Sequence, residues 1–309
     1  MEFRELEMLL AIVEQGGFNK AAAALHISQS AISRKIDLLE AELGQKLFLR
    51  LGNHVVLTPV GEALAQHSRC IFRQLKLARM ELSDITELRE GKLSIGASVG
   101  ACIYLLPPVL KKFHQEFPNI QLKVVVSGTD ELIPQIRDGR IDLGLLTLPV
   151  VSDGLTVTRF YAEELVVIVG HDHPWASRKQ IKADELTQFP FIIIEKESKA
   201  RHILEGFFHS AKVLPRIEME LPNFSTIKPL VEINLGISIA PLGEVAKEVE
   251  EHRLHVLRIK GIRLERELGL VYLKAENTPR IIATLIQSLV AVGNILESGP
   301  AHRSARTQP

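Results

Sequence analysis

The stretch from Phe18 to Gly44, FNKAAAALHISQSAISRKIDLLEAELG, constrains this chain more than any other. It reads as two helices joined by a tight turn. The first, Asn19 to Leu25, is nearly all alanine and can pack closely. The second opens at Ser28, whose hydroxyl can accept from free amides of the first turn. Ile32, Ile36, Leu39 and Leu43 recur at helical spacing and predict a buried stripe. Ser30, Ser33, Arg34 and Asp37 fall on another face, and Gly44 stands where a C-terminal glycine stop belongs. With the turn around His26 and Ile27, these features predict a helix-turn-helix. The competing reading is an ordinary antiparallel helix pair in a helical domain.

The flanks extend the pattern. Residues 2–14 predict a helix with Phe3, Leu6, Leu10 and Val13 on its apolar face, ended by Gly16 and Gly17. Leu47 to Arg50 and Val55 to Leu57 read as two short strands around a turn at Gly52 and Asn53, a wing. Thr58 as cap and Pro59 at the first helical position then start a long helix reaching about Arg89. Along it Leu64, Ile71, Ala78 and Ile85 form one seven-residue series, with Leu75 and Leu82 in a second. Such a seam on a lone helix calls for a partner.

The phrase GGFNKAAAALHISQSAISRKIDLLEAELGQKLFLR, followed by VVLTPVG, closely resembles the N-terminal domain of LysR-type transcriptional regulators. Ser30 departs from the family's usual proline, Asn53 from a common second wing arginine, and Val60 from the usual alanine. The resemblance implies a winged helix-turn-helix DNA-binding domain at 1–58 and a linker helix at 59–90. That helix would pair two chains, and two dimers would associate into a tetramer. The free face of the second helix offers Gln29, Ser30, Ser33 and Arg34 to base edges. Glutamine can pair bidentately with adenine and arginine with guanine. Lys35 and Arg50 are placed for phosphate or minor-groove contacts. Promoter DNA is the expected partner, and RNA polymerase a candidate one.

Charge alone would not suggest DNA, because the 309 residues carry zero formal net charge. Any positive field must be local. A hydrophobic content of 46% supports sizeable cores and excludes a disordered chain. Two cysteines, Cys70 and Cys102, provide no disulfide framework. Acids at Glu2, Glu5 and Glu7 replace the basic-then-apolar pattern of a signal peptide. No apolar run is long enough to span a bilayer. The expected location is the bacterial cytoplasm.

From Lys92 the pattern changes to alternating strands and helices, which predicts an α/β domain with a parallel sheet. One cycle has strands at 93–97, 122–126 and 143–146, with helices at 106–117 and 130–138. Two apolar strands, 157–161 and 165–169, flank a crossing point near Glu163. A second cycle has strands at 191–194, 217–221 and 237–240, with helices at 200–211 and 226–233. A strand at 268–273 and a helix at 279–296 can return to the first half. Two such halves resemble the type-two periplasmic-binding-protein fold of LysR-type effector domains, as do LLPPVLKKFHQEFPNIQL and DGRIDLGLL. The effector domain is placed at 91–297. Its two Rossmann-like subdomains are 91–162 with 268–297, and 163–267. A disordered tail is expected at 298–309.

In open α/β sheets ligands bind beyond the carboxyl ends of the strands. With the family resemblance, this marks Ser98, Gly100, Ser127, Thr129, Thr147, Lys199 and Ser225 as effector-binding candidates. Hydroxyls and free helix amides, together with Lys196, Lys199 or Arg201, favour a small anionic metabolite as co-inducer or co-repressor. The serines and threonines also qualify as plain helix caps. His171, Asp172 and His173 do not amount to a metal set, and no resident cofactor is expected. Nucleophile-elbow, phosphate-loop and zinc-hydrolase motifs are absent, so no enzyme is expected. The alternative reading is a small-molecule binding protein of the periplasmic type without a regulatory role.

Overall fold

A computed structural model describes residues 1–51, 54–85, 91–274 and 278–298. The expected wing turn at Gly52 and Asn53, the linker end near Arg89 and the polar tail beyond Ser298 lie outside the described residues. The chain divides into two compact units, Met1–Leu82 and Ser83–Pro309.

The first unit contains α1 (Phe3–Gln15), α2 (Phe18–Ala24), α3 (Gln29–Leu43), the hairpin β1 (Phe48–Leu51) and β2 (His54–Leu57), and α4 (Pro59–Ile85). Ser28 caps α3, its hydroxyl accepting from Ala31 N at 3.2 Å. Gly44, at φ 65°, ends that helix in the left-handed region where glycine is unstrained. Leu9, Ile12, Ala21, Ile32, Ile36, Leu39 and Leu47 meet in a closed core. Two expected core positions differ. Phe3 is 61% exposed and lies edge-on to Phe72 of α4. Leu6 is buried as expected, but Met8, Leu9 and Ile12 are the other buried apolar residues of α1, with Leu10 and Val13 only partly buried. The two stripes have similar periodicity, and the facing helices select between them. Leu43, in the last turn of α3, is 38% exposed.

Glu40 takes an inward place instead. Its carboxylate accepts from Leu47 N at 2.8 Å, Phe48 N at 3.3 Å and Lys46 Nζ at 2.5 Å. It thus ties α3 to the wing. Thr58 donates to Lys46 O at 2.6 Å and accepts from Gly61 N at 3.0 Å, which starts α4. A Cβ on Gly61 would strike the Leu47 carbonyl, so α4 begins close against the strand. Of the seam residues, Ile71, Leu75 and Leu82 are exposed and Leu64 packs on the core of this unit. The side chain of Ile85 lies outside the described residues.

The second unit has two lobes. The first holds β3 (Gly91–Ala97), a π-helical turn (Ala101–Leu105) continuing into α5 (Leu106–Glu116), β4 (Ile120–Val126), α6 (Thr129–Arg137) and β5 (Leu143–Thr147). Strand β6 (Leu155–Gly170) leads into β7 (Gln180–Ile181), a short 3-10 turn (Ala183–Thr187) and β8 (Phe191–Ile194). The second lobe continues with α7 (Lys199–Ala211), β9 (Ile217–Leu221), α8 (Phe224–Glu232), β10 (Ser238–Pro241), α9 (Leu242–Glu250) and β11 (Leu254–Ile259). Strand β12 (Leu264–Leu273) and α10 (Arg280–Ser298) return to the first lobe, where Gly293 closes on Phe160.

Strand β3 pairs in parallel with β4 and β5. Strand β12 runs antiparallel to β5 and to β6. The far end of β6 pairs with β10 and β11. The lobes are therefore joined by two crossing strands, β6 and β12. The expected pair of strands about Glu163 is one continuous strand. Glu163 is fully buried and bonded to Arg266, and Glu164 to Arg258 at 2.6 and 2.8 Å, so neither charge interrupts the ladder. Prolines 107 and 108 fall in the first turn of α5, directly after the π-helical turn, and do not break the helix.

Candidate functional site

On α3, Gln29, Ser30 and Arg34 are exposed along one face and Ser33 is half-buried beside them. Ser30 Oγ lies 3.1 Å from the capping Ser28 Oγ. Lys35 sits further round, 3.5 Å from Glu2 and 3.7 Å from Glu5, so its ammonium is drawn toward α1. Arg50 lies on β1 opposite Val55, and its side chain is outside the described residues.

In the second unit a cleft of about 530 Å³ opens between the lobes. Six of the seven expected effector residues line it: Ser98, Gly100, Ser127, Thr129, Thr147 and Lys199. Ser225 does not, although its neighbours Asn223 and Phe224 do. The cleft lies beyond the carboxyl ends of β3, β4, β5, β8 and β9, where the helix amino-termini gather. Gly128 precedes α6, Ser198 caps α7 through Ala200 N at 3.2 Å, and Asn223 caps α8 through Thr226 N at 3.0 Å. Thr129 Oγ1 accepts from Thr147 N at 3.2 Å, pinning α6 to β5. The positive ends of α6, α7 and α8 converge from both lobes.

Cationic lining comes from Lys199 and Arg266. Lys196 does not line the cleft. Arg201 points away as a structural residue, donating to Ile194 O at 2.9 Å and Glu205 at 2.8 Å. Acids are also present: Asp130, Glu131, Glu195, Glu197 and Glu244. Glu131 accepts from Ser127, and Asp130 lies 3.0 Å from Lys199.

The floor is a buried network gathered from four elements. Arg266 of β12 donates to Glu163 of β6 at 2.7 Å and to Glu244 of α9 at 2.8 Å. Tyr104 of the π-helical turn donates to the other Glu163 oxygen at 2.6 Å. Burial raises the Glu244 carboxyl above its ordinary value, with Arg266 pulling the other way. Burial, then the Glu163 charge, pushes the Tyr104 phenol well up. A Cβ on Gly100 would land on the Glu244 carboxyl, so glycine is what lets α9 close on this helix start. Sequence reasoning missed Arg266 and Glu244. RLERE has four charged residues in five and resembles a solvated surface, and Pro241 and Leu242 read as a loop although the helix carrying Glu244 starts there.

Burial raises the Cys102 thiol, which disfavours a reactive thiolate. His173 packs against Trp175 and Phe189 and accepts from Trp175 N at 3.1 Å. Among the described residues no group of metal-ligating side chains gathers, and no helix is long and apolar enough to cross a membrane.

A helix-turn-helix unit joined to a two-lobed, cleft-bearing α/β unit is the architecture of an effector-responsive DNA-binding protein. Residues 3–62 match the bacterial regulatory helix-turn-helix protein model of the LysR family, and residues 86–294 match the LysR substrate binding domain. The chain belongs to the LysR family. A similar curated protein, a probable RuBisCO transcriptional regulator of Cyanophora paradoxa, is 32% identical over 86% of this chain and 84% of its own. A full-length OxyR variant from Pseudomonas aeruginosa shares the fold with a TM-score of 0.75 at 23% identity, covering 100% of this chain and 99% of its own. The regulatory domain of CcmR from Synechocystis PCC6803, solved in complex with 2-PG, gives a TM-score of 0.61 at 26% identity. It covers 66% of this chain and 98% of its own. The protein is thus a LysR-type DNA-binding transcriptional regulator modulated by a small effector, and the reading as a binding protein without regulatory role is set aside.

Proposed function

We propose that the exposed face of α3 reads a promoter in the major groove and that a small anion in the inter-lobe cleft controls this binding. Gln29, Ser30, Ser33 and Arg34 approach base edges, while Lys35 and Arg50 serve the phosphates. Two chains pair through the Ile71, Leu75 and Leu82 side of α4, and dimers associate into a tetramer that works in the bacterial cytoplasm. The observation that carries the effector reading is the convergence of three helix amino-termini and Lys199 on one cleft. The 2-PG complex of the CcmR domain supports it. Ser98, Gly100, Ser127, Thr129 and Thr147 supply the first-lobe contacts, Lys199 the charge, and Ser225 lies next to the contacts from α8. The protein turns nothing over; an effector acts by favouring one arrangement of the chain over another.

A thermal-shift screen of the full chain against small carboxylates, phosphorylated metabolites and inorganic anions tests this. A ligand bound only by the folded state raises the melting temperature by mass action. Anions are expected to stabilise the chain, and neutral or aromatic compounds doing so in their place would overturn the anionic reading. Arg34→Ala should cost about 1–3 kcal/mol of operator affinity and leave effector binding intact. An unchanged gel-shift titration would remove Arg34 from the interface.

A further inference from the structure

Lys199 is the first residue of α7. That end of a helix repels a cation, so a lysine there calls for an anion. The anion it finds comes from across the cleft. Asp130, in the first turn of α6 on the opposite lobe, lies 3.0 Å from Lys199 Nζ, and both residues line the cavity. The other lining cation is not free to change partners. Arg266 is 4% exposed and holds Glu163 and Glu244, two buried carboxylates that its departure would leave without their bonded cation. The Lys199–Asp130 pair is different in kind. Its side chains are 30% and 57% exposed, and a released Asp130 can turn into water at small cost.

We propose that Asp130 is an internal competitor for the effector. Its carboxylate pairs with Lys199, and the effector's anionic group displaces it. Asp130 thereby sets effector affinity, and its release undoes a tie between the lobes. The inference rests on the anionic reading of the cleft and narrows it. A single carboxylate merely exchanges for Asp130 at Lys199, whereas a doubly charged group such as phosphate gains Coulomb energy in the exchange. At Lys199 the exchange thus favours a small phosphate-bearing dianion over a simple monocarboxylate.

Isothermal titration of the full chain with inorganic phosphate, 2-PG and acetate tests this in wild type, Asp130→Asn, Lys199→Met and the double variant. Asp130→Asn should tighten phosphate and 2-PG binding about two- to fivefold, the range set by a surface ion pair. That gain should vanish in the Lys199→Met background, and acetate should bind more weakly than phosphate. Glu131→Gln removes a neighbouring lining charge not bonded to Lys199, and its effect should be the same in both backgrounds. If wild type binds phosphate but Asp130→Asn brings no gain, or the same gain without Lys199, the competitor role is overturned and the anionic cleft stands. If no anion binds wild type or Asp130→Asn, both fall together.

Discussion

Arg266 ties three elements of the effector unit together, β12, β6 and α9. It is buried, spans 103 residues of sequence to reach Glu163, and reaches back 22 to Glu244. Arg266→Met would leave two carboxylates buried without their cation, a loss of about 3–5 kcal/mol. Denaturant titration should show that loss, and an unchanged midpoint would contradict the network. Glu40 plays the matching part in the first unit. Burial raises its pKa, but the bond from Lys46 and the two backbone amides outweigh that, and the net shift is downward. A lowered folded value means that Glu40 contributes stability above its ordinary 4.5, which is lost as pH falls through the lower folded value. The stability advantage of wild type over Glu40→Gln should be greatest near neutrality and should shrink in acid. An advantage that does not change with pH, followed by unfolding monitored by circular dichroism, would refute it. Neither residue announces itself in the sequence. A buried charge looks like a surface charge until its partner is placed, and these partners are remote or, for Leu47 and Phe48, backbone amides.

Helices and strands with local signals are legible in the sequence, and those defined by distant partners are not. Ser28 and Gly44 bound α3 because caps act within a turn of their own residue. Likewise Thr58 and Pro59 start α4. By contrast the sequence suggests a division of β6 at Glu163, since two adjacent glutamates in an apolar run resemble a break until β12 and β11 supply arginines. The segment 242–259 gives no clear pattern, yet it forms α9 and β11, which deliver Glu244 and pair the far end of β6. The loop position of Ser225 points to the cleft, but the start of α8 presents Asn223 and Phe224 instead. On α4 the heptad spacing and the exposure agree, as Leu75 and Leu82 are 37% and 62% exposed. Leu75→Glu should convert a dimer to monomer in sedimentation velocity while leaving the far-ultraviolet spectrum unchanged. A persistent dimer would move the pairing surface elsewhere.

The chain combines a DNA-binding unit with an effector unit whose cleft we propose holds a small anion, and regulation requires that one bias the other. An effector shifts DNA binding only by its differential affinity for two arrangements of the chain. Binding to DNA should also weaken with salt as phosphate contacts release counterions, despite the zero net charge of the whole chain. The most direct test is fluorescence anisotropy on a duplex recovered by selection from random-sequence DNA, titrated with the full chain with and without saturating 2-PG. The wild-type chain should bind this duplex sequence-specifically, with an affinity that changes when the cleft is filled. An affinity that stays the same while 2-PG demonstrably occupies the cleft would contradict effector control of DNA binding.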